Sequence, residues 1–309
     1  KSSKGVDGAA LIEGSIEDEV DLAFSMITKP ITEDQTNRWV GIPIETEAIE
    51  VHGKIKGTLQ KPIVEIKTHS ENLCALGQNI NDCTLNIIHE NGKNMVSGEL
   101  IGLGKLNSGR VSVIGELDLN KLNLNASIYE FPLSYINPLL EKSTVSLGGN
   151  LNGAFKVSGG MNNPQIKGDG IIDSCTVQVG YMGTKYTVSG GFHVEPDAIE
   201  LNGLEVDDGN GGNGKLVGTS LHNSFKDWNL DVALSAENEP IEVMDIPYSP
   251  TRYFYGKGSA IGDINVFGYD GNIVIEANIT TSKGTEFVLP MDVVESNKWS
   301  SFVEIKNEE

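Results

Sequence analysis

Gly53-Lys-Ile-Lys-Gly57-Thr-Leu-Gln-Lys-Pro62-Ile-Val-Glu-Ile66 returns about a hundred residues later as Gly149-Asn-Leu-Asn-Gly153-Ala-Phe-Lys-Val-Ser-Gly159-Gly-Met-Asn-Asn-Pro164-Gln-Ile166-Lys-Gly168. Each copy reads as a strand with one apolar face, a turn closed by Pro, and a return strand. A chain that restates one hairpin theme lays down sheet. Repetition of this kind favours an elongated sheet over a compact active-site domain.

Working outward, the same period of two recurs along the chain. Val20, Leu22, Phe24 and Met26 share one face of an extended segment, with Asp21, Ala23 and Ser25 on the other. Leu122, Leu124, Ala126 and Ile128 repeat the pattern, as do Leu230, Val232 and Leu234, and then Ile273, Ile275, Ala277 and Ile279. Strands of this type bury one face and wet the other, which is antiparallel behaviour. Asn91-Gly92, Asp169-Gly170, Gly190-Gly191, Asn202-Gly203, Asp208-Gly209 and Asp270-Gly271 are expected to supply the positive φ angles of hairpin turns. Two stretches interrupt the alternation. Residues 132–142, with Pro132 and Pro138 setting the limits, read as a short helix or helical turn, and residues 240–250, from Pro240 to Pro250, read as a crossing segment. The expected organisation is β segments over 1–131, 143–239 and 251–309 around those two interruptions.

Bulk properties fit a folding chain and narrow its partners. The 309 residues carry 43 Asp and Glu against 23 Lys and Arg, a net charge of −20, with 39% hydrophobic residues. Nucleic-acid affinity comes from basic groups that release condensed counterions, so nucleic acid is excluded as an expected partner. No run nears the roughly 18 apolar residues that span a bilayer. The chain starts at Lys1 without Met, which leaves room for a targeting or anchoring segment outside it.

Chemistry-bearing motifs are sparse. Cys74, Cys83 and Cys175 form no zinc spacing; Cys74 and Cys83 either bridge across a hairpin or are small buried apolar residues. Gly209-Asn-Gly-Gly-Asn-Gly214-Lys215 has the spacing of a phosphate-binding loop, but Leu216 stands where that loop needs Ser or Thr, and Asp207 and Asp208 precede it. A Gly-rich hairpin turn is the better reading, and calcium at these acids lacks the usual twelve-residue pattern. No nucleophile elbow occurs, and His52, His69, His89, His193 and His222 are dispersed. Neither catalytic residues, a metal nor a cofactor is expected.

Several segments, in order, resemble the TamB branch of the AsmA-like family. They are Trp39-Val-Gly-Ile-Pro43-Ile, the two hairpins above, Phe131-Pro-Leu-Ser-Tyr-Ile-Asn-Pro-Leu-Leu140 and Asn163-Pro-Gln-Ile-Lys-Gly-Asp-Gly170. Tyr186-Thr-Val-Ser-Gly190, Leu204-Glu-Val-Asp-Asp-Gly-Asn210, Gly218-Thr-Ser-Leu-His222, Tyr253-Phe-Tyr-Gly256 and Lys283-Gly-Thr-Glu-Phe-Val-Leu-Pro290 continue the series. The resemblance implies a C-terminal-half fragment of an all-β protein: an elongated antiparallel sheet curled into a taco-like trough with an apolar interior and very little helix. It also implies a place in the periplasm of a Gram-negative bacterium, anchored at the inner membrane by a segment absent here. The implied role is conduction of phospholipids towards the outer membrane. An alternative role is scaffolding of outer-membrane barrel assembly with an Omp85-type partner, bound through regions outside this chain.

The residues themselves agree with a trough. A sheet with one apolar face must cover it with another sheet, helices or a ligand, and amphipathic helix is almost missing here. Phospholipid acyl chains would then lie against Leu22, Phe24, Leu122, Leu124, Phe155, Val157, Val188, Leu230, Val232, Ile273, Ile275 and Ile279. The closed core of a β-sandwich or solenoid is the alternative that alternation alone leaves open.

Overall fold

The computed structural model describes residues 8–16, 19–40, 44–75, 77–104, 106–118, 121–140, 144–160, 163–223, 226–269 and 272–290. The N-terminal strands are β1 (Gly8–Ile16), β2 (Val20–Thr28), β3 (Ile44–Glu45), β4 (Glu50–Thr58), β5 (Lys61–Ala75), β6 (Gln78–Glu90), β7 (Lys93–Leu103), β8 (Gly109–Asp118) and β9 (Lys121–Pro132). They are followed by β10 (Val145–Gly160), β11 (Asn163–Val179), β12 (Thr184–Glu195), β13 (Ala198–Asp207), β14 (Asn213–Asn223), β15 (Lys226–Ile246), β16 (Tyr255–Tyr269), β17 (Asn272–Thr281) and β18 (Glu286–Val288). Among the described residues, helix is limited to α1 (Glu33–Val40) and a 3₁₀ helix (Leu133–Leu140).

These strands form one 18-stranded antiparallel sheet that does not close into a barrel. Apart from the α1 and β3 excursion between β2 and β4, each long strand pairs with its sequence neighbours, from β1 on β2 through to β16 on β17. At about 4.8 Å per strand, that ladder is on the order of 70 Å along its own contour. The all-β, sheet-dominated expectation therefore holds.

An antiparallel meander places its connections alternately on two long margins. The first margin carries the elaborate ones: α1 with β3, the 3₁₀ helix, the turns at 180–183 and 208–212, and the loop from 247 to 254. At the opposite margin the described turns are two residues long, at Leu59-Gln60, Asn91-Gly92 and Pro196-Asp197. The core follows this asymmetry. Val188, Leu204, Val206, Ala236 and Ile241 form one buried cluster towards the first margin, and Leu133, Leu151 and Cys175 form another.

A crease near the first margin explains how a sheet can make such a core. Left-handed backbone recurs a few residues inside it, at Asn72, Glu130, Gly149, Ser174 and Gly203, and β10, β11, β12, β13 and β15 shift register nearby. A bulge inserts an extra residue and bends its strand, leaving a backbone N–H without a ladder partner. Here side chains accept those protons. The Glu130 N–H donates to Asn152 Oδ1 at 2.9 Å and the Ser174 N–H to Ser189 Oγ at 2.8 Å.

Beyond the crease, β15 outruns β14 and folds across the strand ends. Tyr186 donates its hydroxyl proton to the Glu242 carbonyl at 2.8 Å, and the Asp245 N–H reaches the Met182 carbonyl at 2.9 Å. The 3₁₀ helix seals the same margin farther along. Asn137 exchanges two hydrogen bonds with the backbone of Leu147, while the Tyr135 hydroxyl donates to Asn79 O and accepts from the Gly104 N–H.

Three local expectations need correction, and the structure decides between the two alternatives for Cys74 and Cys83. Residues 240–246, expected within a crossing segment, are strand, and only 247–254 is loop. Pro138 lies inside the 3₁₀ helix, which tolerates it because its hydrogen bonds differ from those of an α-helix. Asp169-Gly170, Gly190-Gly191 and Asn202-Gly203 lie within β11, β12 and β13, because strand bulges and close ring contacts need glycine as much as turns do. Asp270-Gly271 lies outside the described residues. Finally, Cys74 pairs with Asn79 and Cys83 with Ser70, four register steps apart. That separation of about 13 Å is far beyond disulfide reach, and all three cysteines are free.

Candidate apolar groove

Directly opposed residues of an antiparallel pair point to the same face, so the register traces each face across the molecule. One row runs Phe24, Gly53, Ile66, Ile87, Val96, Gly115, Leu124, Val157, Ile166 through β2, β4 to β11. An adjacent row on the same face runs Ala126, Phe155, Gly168, Val194, Ile199, Ser220, Leu230, Gly268, Ile273 from β9 to β17. Only one hydroxyl, that of Ser220, enters these two rows. The other face, followed the same way, reads Ser25, His52, Lys67, Asn86, Ser97, Ile114, Asn125, Lys156, Lys167.

All twelve groove candidates from the sequence fall on the apolar face. Leu22 opposes Ile55, Leu122 opposes Leu117, Val232 opposes Val266, and Ile275 and Ile279 oppose Val266 and Gly262. Their surroundings differ. Most are half-buried, Ile273 and Ile275 are exposed on the outer strand β17, and Val188 is closed beneath Ile241 and Leu204. Val188 thus belongs to a dry core and drops out of any open groove. Sequence reading passed over Ile66, Ile87, Val96 and Ile264, which hold the same face and carried the same alternation.

Glycines on this face have a specific use. A Cβ on Gly53 would strike the ring of Phe24 and one on Gly170 the ring of Phe192, whereas one on Gly168 would strike the Ala154 carbonyl oxygen first and the Phe155 ring only after it. Each phenylalanine therefore lies down over a bare backbone in the neighbouring strand instead of standing up from the sheet. The result is a low apolar floor.

The polar face holds the charged clusters. His193 joins Asp169 at 2.7 Å and Glu195 at 3.1 Å, and Lys167 joins Glu195 at 2.6 Å. Hydrogen bonds to Asp169 and then Glu195 raise the His193 pKa above its ordinary value. Two shallow cavities of about 400 and 640 Å³ also lie mainly on this face, lined by mixed groups such as Lys54, Glu65, Lys67, Asn86, Ser97 and Ser112. In the larger one the Ser112 hydroxyl donates to Glu99 Oε1 at 3.3 Å in an exposed contact. Among the described residues no group of three or more His, Cys, Asp or Glu is arranged to hold a metal ion. The loop that imitates a phosphate site is a turn organised by Asp208, whose Oδ1 accepts from the Asn210 and Gly212 N–H groups and whose Oδ2 accepts from the Glu242 N–H at 2.8 Å.

Residues 202–309 match the family model described as TamB C-terminal domain. This part of the chain is similar to the C-terminal domain of TamB proteins. It takes in β14 to β18 and most of β13, including the folded-over end of β15. No curated protein and no solved structure matches the chain. TamB-family proteins form a transport and assembly module of the cell envelope and are associated with an outer-membrane partner. No helix among the described residues is long and apolar enough to cross a membrane.

Proposed function

We propose that this protein conducts phospholipids through the periplasm, with acyl chains lying along its apolar face and headgroups in water. The observation that carries the reading is the pair of overlapping apolar rows that together run from β2 to β17 on one face, interrupted by a single hydroxyl at Ser220. A lipid chain gains about 0.8 kcal/mol per buried methylene, so a sixteen-carbon tail loses on the order of 12 kcal/mol on entering water. A continuous apolar floor removes that barrier. Its successive sites are chemically alike, so a tail can step from one strand to the next without a deep trap. In this reading the chain is held at the inner membrane by a segment beyond it and passes lipid towards the outer membrane, with no catalytic step.

Leu124→Glu places a carboxylate in mid-floor and Asn125→Gln changes the adjoining polar face. Photocrosslinking of labelled phospholipid should fall sharply in Leu124→Glu and persist in Asn125→Gln. Mass spectrometry of organic extracts should find native lipid with the parent chain. Equal labelling of parent and Leu124→Glu would end the proposal.

One observation favours a second reading, in which the chain templates barrel strands. In the strand registers β17 pairs only with β16, and β18 also pairs with β16, so the outer side of β17 has no registered partner among the described residues; Ile273, Val274 and Ile275 are exposed there. Such an edge accepts an added strand. Strand-register crosslinks from β17 to nascent barrel proteins, with no lipid in the extracts, would select it.

A further inference from the structure

Four of the 8 tyrosines gather at one corner of the elaborate margin, where the apolar face does not account for them. Tyr181 comes from the turn between β11 and β12, Tyr248 and Tyr253 from the loop between β15 and β16, and Tyr255 from the start of β16. Phe254 stands 5.7 Å from both Tyr181 and Phe287, and Tyr248 meets Tyr255 edge-on at 5.1 Å. Three separate segments thus bring together two ring clusters, Tyr181 with Phe254 and Phe287, and Tyr248 with Tyr255, on either side of Tyr253 in one loop. Tyr248 and Tyr253 are nevertheless 68% and 69% exposed, and Phe287 and Leu289 are 56% and 49% exposed.

We propose that this aromatic corner seats on the headgroup layer of an electrically neutral phospholipid surface. The rings project from turns and loops at the tip of a margin, where they can reach a flat surface together. Hot spots for protein partners instead sit in concave, desolvated pockets. Tyrosine has an apolar body and a polar tip, the combination that suits a membrane–water boundary. Charge narrows the choice of surface. The chain carries −20 overall and the 247–254 loop offers one cation, Arg252, so an anionic surface would repel it. The loop is also pre-ordered: Pro247 and Pro250 stiffen it, the Arg252 N–H donates to the Ser249 carbonyl at 3.1 Å, and the Asp245 N–H ties its root to Met182. A surface that is rigid before binding loses little entropy on contact. This inference concerns where the protein touches a membrane and stands whether or not the groove carries lipid.

Flotation of the full chain with phosphatidylcholine vesicles tests it. The parent should float, float less with vesicles enriched in phosphatidylglycerol, and change little with added salt on the neutral vesicles. The combined Tyr248→Ser, Tyr253→Ser, Phe287→Ser variant replaces exposed side chains and should keep its far-ultraviolet dichroism while losing affinity by about tenfold or more. Leu124→Glu, a groove variant, should float like the parent. Failure of the parent to float, or flotation of the triple variant at parental affinity, would overturn the proposal. So would flotation that begins only when the chain is cut after Pro290, which would mean that the following residues cover the corner. Loss of extracted lipid in the triple variant would also overturn it, by making these rings part of the groove.

Discussion

The two margins of the sheet are made by the same strands yet solve different problems. At the short-turn margin each described hairpin closes in two residues and burial is scattered: Leu59 at a turn tip is 76% exposed, while Val194, Ala198 and His222 are buried near theirs. At the elaborate margin the strands bend at the crease, β15 folds across its neighbours, and Ile241 is 1% exposed. The difference teaches that one sheet can divide its tasks along the strand direction. Stability gathers at the bent margin, which leaves the floor and the other margin free to stay open.

The sharpest way to break this comparison is a matched truncation. Ile241→Ala should cost about 2–5 kcal/mol, because the removed atoms leave a cavity in a packed cluster, whereas Leu59→Ala should stay within about 0.5 kcal/mol. Urea unfolding of both variants decides it; similar midpoints would mean that the margins do not differ. Asp208→Ala is expected to cost about 1–3 kcal/mol, since three backbone N–H groups lose one acceptor. Hydrogen exchange should then speed up at Glu242 but not at the Asn91 turn.

Thiol chemistry sharpens the register on which both margins depend. Burial raises the Cys83 thiol pKa, with the Asp82 charge adding to it, and burial also raises Cys175. Alkylation of the folded chain near neutrality should be slow at both and yield no Cys74–Cys83 bridge. Recovery of that bridge by peptide mapping would mean that β5 and β6 pair in another register.

The smallest expected effect lies on the polar face, at His193. Its folded pKa stands above the ordinary value of 6.5 through hydrogen bonds to Asp169 and Glu195. The protonated ring thus stabilises the fold at pH below the unfolded value, and this contribution disappears as pH rises through the folded value. The site is exposed, so the change should be slight. His193→Gln should abolish that step in a stability-versus-pH series, and titration of the ring by NMR at or below 6.5 would remove its cause.

Much of the floor was legible in the sequence because alternation reports which side of a strand is apolar, and antiparallel pairing carries that parity from strand to strand. Leu22, Leu124, Val157 and Val232 are placed by this rule alone. The bent margin was not legible. Gly190-Gly191 and Asn202-Gly203 look like turns, because a bulge and a turn ask the same positive φ of the same residue types. Pro240 suggested a break in a segment that stays strand to Ile246. Nothing in the alternation around Val188 says that Ile241, more than fifty residues later, will cover it, since that contact is made by folding the sheet and not by pairing it. The short α1 was missed because Glu33 to Val40 lacks an apolar periodicity strong enough to stand out.

The neighbour-to-neighbour meander also governs how such a molecule comes into being. Nearly every pairing joins segments adjacent in the chain, so loop-closure entropy at each step is that of a hairpin, although the finished sheet has 18 strands. A β-protein of this size ordinarily waits for distant partners and exposes its edges meanwhile. Here a strand can add to the growing edge as soon as it emerges. The expected kinetics are those of a zipper, running in the order in which the chain is delivered, with only the fold-over of β15 left to lock into place at the end.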